Sequence, residues 1–138
     1  MRKIREQLVK VAEEQLLDGV SSTSFTKSEL ELLPIILEDG EVVKKVVSGE
    51  VEKKLGKLMA TNRRVIYLRS FLPGCSDTVA FHYGDIQSIT EHKTRGLSGQ
   101  SIDLTFTETT GYEYTVYNIL KWQIPDFLEY VNAMNISD

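Results

Sequence analysis

Among the apolar residues of the first eighteen positions, Ile4, Leu8, Val11, Ala12 and Leu16 recur at the spacing that lays a single stripe along a helix. The stripe predicts a helix over residues 2–18, with Gly19 placed to end it. A polar tract, Ser21-Ser22-Thr23-Ser24, separates it from a second helical segment, where Ser28 and Glu31 have capping-box spacing ahead of Leu32 and Leu33. Pro34 lacks a backbone donor and disfavours helix at the residue before it. This helix is therefore expected to break there, with one further turn through residues 35–37.

After Glu38-Asp39-Gly40-Glu41 the pattern changes. Val42, Val43, Val46 and Val47 are spaced as on a helix, but four β-branched side chains and the nearby Gly49 favour a bulged strand, which is the reading adopted. In GKLMATNRRVIYLRS, residues 56–70, Leu58 and Ala60 alternate with Lys57 and Met59, and Val65 and Tyr67 with Ile66 and Leu68. Two strands joined at Thr61-Asn62-Arg63-Arg64 are predicted, with Asn62 suited to the turn. Val79, Phe81 and Tyr83 mark another strand, and Ile86 and Ile89, three apart, an irregular one.

A glycine-containing loop is expected over 93–99. Beyond it, Ile102, Leu104 and Phe106 alternate with polar residues, Thr109-Thr110-Gly111 makes a turn, and Tyr112, Tyr114 and Val116 form the partner strand of a hairpin. Trp122, Phe127, Tyr130, Val131 and Met134 predict a closing helix over about 120–135, its regular part after Pro125, burying Trp122 and Phe127. About seven short strands precede that helix.

A chain of 138 residues with 41% apolar content is sized for one globular core. A net charge of −4 and a pI near 5.3 argue against nucleic-acid binding, which depends on Lys and Arg neutralising phosphates. The single cysteine, Cys75, cannot close an intramolecular disulfide and is expected to be an ordinary thiol after the turn Leu72-Pro73-Gly74. Without a secretory leader or an apolar run of membrane-spanning length, a cytoplasmic protein with no transmembrane segment is expected.

Candidate chemistry is sparse. His82 and His92, with Asp85 or Glu91, offer imidazole and carboxylate ligands, but ten residues across a turn and no cysteine ligand make a poor metal spacing; no metal or cofactor is assigned. There is no G-x-S-x-G elbow, P-loop or dinucleotide fingerprint, and Asp103, Glu108 and Glu113 fall on the wet side of a hairpin. No catalytic residue is assigned. Charge is unevenly spread: residues 41–70 carry eight basic and three acidic residues, +5, between segments of −3 (1–40) and −6 (71–138).

The stretches Thr61-Asn62-Arg63-Arg64-Val65-Ile66-Tyr67 and Tyr83-Gly84-Asp85-Ile86, followed by Ser88-Ile89, resemble the bacterial pleckstrin-homology (PH) domains of the YokE-like group over roughly residues 38–134. The resemblance implies a PH-like bent antiparallel sandwich or barrel of about seven strands capped by a C-terminal helix. An N-terminal helical extension, 1–37, would precede a domain spanning 38–138. It also implies a binding scaffold without catalysis, with an open seam where a peptide could dock or a second copy pair.

In phosphoinositide-binding members of the wider fold, basic residues of the first hairpin hold the head group. The matching positions are Lys53, Lys54 and Lys57, with Arg63 and Arg64 as further candidates. Glu50 and Glu52 interrupt them, so a solvated basic face and a weak contact to anionic lipid or an acidic protein both remain open. The expected function is a protein-interaction module that self-associates through its helices or a strand edge, the alternative a peripheral adaptor on anionic lipid.

Overall fold

A computed structural model describes residues 2–72, 75–93 and 100–137. The turn expected at Pro73-Gly74, most of the 93–99 loop and the Cys75 side chain lie outside the described residues. The strands are β1 (Val43–Val51), β2 (Lys54–Thr61), β3 (Arg64–Leu72), β4 (Cys75–His82), β5 (Ile86–Lys93), β6 (Ser101–Glu108) and β7 (Glu113–Leu120). All pair antiparallel in the order β4-β3-β2-β1-β7-β6-β5, leaving β4 and β5 as edges. The seven-stranded expectation holds.

The ambiguous valine segment is a strand, and its helix-like spacing has a cause: register against β2 shifts between Val43 and Lys45, so a bulge displaces the alternation. Val47 faces the interior of the curved sheet, whereas Val43 belongs to a second core on its outer side. The first hairpin closes on Glu52 and Lys53, both left-handed at φ 54° and 65°, the twist a two-residue hairpin needs, adopted here without glycine.

The interior core joins Leu58, Ala60, Val65, Tyr67, Leu104 and Phe106 to α3 (Ile124–Ser137) through Ile124, Phe127 and Val131. Pro125 occupies the first turn, where its missing N–H costs nothing. Phe127 is buried as expected, but Trp122 is not. It sits in the 3₁₀ turn Lys121–Gln123 ahead of α3 and is 74% exposed.

The outer core explains the N-terminal extension. Phe25, Leu30, Leu33 and Leu37 pack on Met59, Ile66 and Leu68, so β2 and β3 are buried on both faces. Leu30 and Leu33 are carried by α2 (Lys27–Ile36), which runs through Pro34 rather than breaking, and Phe25 and Leu37 flank it. A proline inside a helix costs about 3 kcal/mol, while burying each leucine contributes about 1.5–3 kcal/mol. Leu30, Leu32 and Leu33 together outweigh the proline.

The cap of α2 lies two residues upstream of the expected one. Thr26 Oγ1 accepts from the Glu29 amide at 3.2 Å, and the Thr26 amide donates to Glu29 Oε1 at 2.7 Å. The first helix is shorter than predicted: α1 (Arg2–Val11) widens into a π turn at Ala12–Leu16, and Leu17 is already extended, bridging in parallel to Val43. Gly19 takes φ +75° in the connector that follows.

Candidate functional site

The turn that joins β2 to β3 places Arg63 and Arg64 in opposite environments. Arg63 is exposed at the tip. Arg64 opens β3 and turns inward, its Nε and Nη2 donating to the two oxygens of Glu41 at 2.9 Å each and Nη2 also to the Ile36 carbonyl at 3.0 Å. Glu41 is fully buried, and it further accepts from Thr61 Oγ1 at 2.6 Å and the Glu38 amide at 3.0 Å.

Burial alone would raise the Glu41 carboxyl; hydrogen bonds from Arg64, Thr61 and Glu38, with the arginine's charge, outweigh it and hold the group below its ordinary value. The same contact raises Arg64. The Thr61-Asn62-Arg63-Arg64 stretch thus clamps the junction between α2 and β1. Asn62 adds to the clamp by accepting from the Val42 amide at 2.9 Å.

Lys57 is also internal. It lies on the outer face of β2 with 8% of its surface exposed, 3.5 Å from Glu29 of α2, itself buried. Arg69 donates to the Val51 carbonyl at 2.7 Å and pairs with Asp77. Lys44 pairs with Asp18, and Lys45 with Asp126 at 2.8 Å. Four cations of the basic block of residues 41–70 thus meet Asp18, Glu29, Asp77 and Asp126, all from the two acidic flanks, with Lys57 and Arg69 buried and Lys44 and Lys45 paired at the surface.

Of the five candidate anion-binding residues, the structure brings only Lys53 and Lys54 together, side by side and exposed at the first hairpin. Arg63 lies at the other end of β2. A cleft of about 360 Å³ beside the hairpin is lined by Glu50, Glu52, Lys53, Asp103, Tyr117 and Asn118. Carboxylates thus flank the two lysines. His82, exposed on β4, and His92, exposed on β5, stand on the two edge strands at opposite ends of the sheet order.

Sequence patterning missed a different feature, apolar side chains left in solvent, among them Trp122, Ile4 at 62%, Ile35 at 70%, Leu55 and Leu120. Ile4 and Trp122 belong to periodic segments and read there as part of the apolar stripe. For Trp122 the available signal was Pro125, three residues on, which delays the regular helix until after the tryptophan. The buried partners Glu29 and Glu41 were missed as well. A Thr-x-x-Glu cap at Thr26 was visible for the first, and nothing for the second.

Comparison with known proteins agrees with this architecture. The family model described as bacterial PH domain matches residues 37–133. A pleckstrin-homology domain from Shewanella amazonensis superposes with a TM-score of 0.54 at 11% identity, covering 75% of this chain and 92% of that one. A protein with a pleckstrin-homology domain from Shewanella loihica gives 0.52 at 13% identity, covering 75% and 89%. The C-terminal domain of an unknown protein from Leishmania infantum gives 0.54 at 15%, covering 74% and 90%. None of the curated proteins matches.

Proposed function

Because the chain belongs to the bacterial PH domain family, which matches residues 37–133, we propose that it is a non-catalytic protein-interaction module of the cytoplasm, in the YokE-like group, acting by self-association or by holding a protein partner. The observation that carries this reading is the contrast between its two kinds of surface. Two of the five cations that suggested an anion site, Lys57 and Arg64, are neutralised within the fold and Arg63 lies apart from Lys53 and Lys54, whereas large apolar side chains stand in solvent, Trp122 foremost. Aromatic side chains of this kind anchor protein interfaces when a partner desolvates them.

Trp122 is the only tryptophan, so its fluorescence reports directly on such contacts. Proteins that copurify with the intact chain at low salt are titrated against it. Emission shifts to the blue on binding, and Trp122→Ala loses the partner while keeping its fold. Partners that bind the variant equally well overturn a role for this surface.

A second reading keeps the exposed pair Lys53 and Lys54 as a weak contact for an anionic head group. Each lysine near an anionic surface contributes about 1 kcal/mol, so two give marginal attachment. No helix among the described residues is long and apolar enough to cross a membrane.

A further inference from the structure

The stripe predicted along α1 is only half used. Ala12 is fully buried in the outer core, while Ile4 stands in solvent and Leu8 is half-covered. A ten-residue helix is short of the length at which helices persist unaided in water, and α1 packs chiefly on α2. Its apolar line continues through Val11 into a cleft of about 360 Å³ with Leu16, Pro34 and Leu37 on its walls. The π turn and Pro34 of α2 both contribute to its walls.

The charges on this segment are polarised. Residues 2–10 carry Arg2, Lys3, Arg5 and Lys10 against Glu6, and residues 11–18 carry Glu13, Glu14 and Asp18 with no base. Glu38 and Asp39 stand at the cleft. Arg2, Lys3 and Arg5 at the start and Glu13 and Glu14 in the π turn oppose the helix dipole, which favours acids at the start of a helix and bases at its end, whereas Lys10 in the last turn of α1 follows it. Within the chain Arg5 reaches Glu31 at 2.9 Å, Lys10 lies 4.0 Å from Glu14, and Asp18 pairs with Lys44.

A second, antiparallel α1 reverses the balance. Each basic start then lies beside the other's acidic end, and the opposed dipoles add to the attraction. Parallel pairing would set like charge against like.

We propose that two copies of this chain associate about a two-fold axis by antiparallel pairing of α1, with Ile4 and Leu8 of each copy packing toward Val11 and the cleft of the other. The contact is isologous, the usual form for a dimer. It rests on the self-association half of the reading above. A ten-residue helix spans about 15 Å, so the interface is small and the dimer dissociates on dilution.

Sedimentation of the intact protein over a concentration series tests it. The mass should rise toward twice 15.7 kDa, and less so in high salt, which screens the charges. Ile4 is exposed, so Ile4→Glu leaves circular dichroism and thermal unfolding of the monomer intact and abolishes the dimer. Glu13→Lys with Glu14→Lys weakens it roughly tenfold, and adding Arg2→Glu with Lys3→Glu restores it.

A monomer at every concentration overturns the proposal, as does a dimer indifferent to Ile4→Glu. In the second case self-association stands through another surface. A monomer that still shifts Trp122 emission with a protein partner overturns the dimer alone. A monomer that neither dimerises nor binds any copurifying protein overturns the interaction reading too.

Discussion

Glu41 and Arg64 carry the sharpest test of how charge is used in this protein. Two direct hydrogen bonds and full burial of the carboxylate make the pair strongly coupled to folding, and removing one charge strands the other. Glu41→Gln should cost roughly 3 kcal/mol, read as a lower urea midpoint. Because the folded carboxyl lies below its ordinary 4.5, the unfolded chain takes up that proton first as pH falls. The stabilisation is fully present above about 4.5 and is lost as pH drops through the depressed folded value. The urea midpoint of the natural chain should therefore fall more steeply on acidification than that of Glu41→Gln; equal slopes would place the acid sensitivity elsewhere. The turn containing Arg64 was legible from its neighbours, but the role of Arg64 was not. Sequence places it beside an exposed arginine of identical chemistry, and only the chain path from α2 into β1 separates them.

The doubly buried strands β2 and β3 show why some elements were easier to read than others. The β6 strand has one buried and one wetter face over much of its length, so Ile102, Leu104 and Phe106 stand out. In β2 every residue from Gly56 to Thr61 is buried, so alternation marks two cores, and the second is invisible until the N-terminal helices are placed. The same packing binds the extension to the domain: a chain beginning at residue 38 would expose Met59, Ile66 and Leu68 and leave Lys57 without Glu29. Such a chain should aggregate or bind a hydrophobic dye such as ANS strongly; a stable, dye-silent monomer would show that the outer core is dispensable. Gly56 supplies a finer test. A Cβ there would lie 2.5 Å from the Tyr67 hydroxyl and 2.6 Å from the Leu68 carbonyl, and the carbonyl cannot yield without moving β3. Gly56→Ala should destabilise by about 1–3 kcal/mol in thermal or urea unfolding.

Charge across the chain was countable in advance, yet its meaning depended on tertiary pairing. A +5 segment between two acidic ones describes a basic surface if the segment faces outward, and a set of internal ties if it faces its flanks. The structure takes the second course for Lys57 and Arg69, and ties Lys44 and Lys45 to the same flanks at the surface. The remaining anion-binding capacity at the first hairpin is then small. Lys53 and Lys54 contribute about 2 kcal/mol together near an anionic membrane, and Glu50 and Glu52 beside them subtract from that. Sedimentation with phosphatidylserine vesicles should accordingly show slight retention at low salt and none at physiological salt, where charges beyond about 8 Å are screened. Lys53→Glu with Lys54→Glu should remove the low-salt retention, whereas Arg63→Glu, at the far end of β2, should leave it nearly unchanged. Retention that survives physiological salt would require an anchor beyond these two lysines. In that event the exposed Trp122 is the side chain to replace next, because an indole inserted at the lipid interface supplies the apolar contribution that two ammonium groups lack.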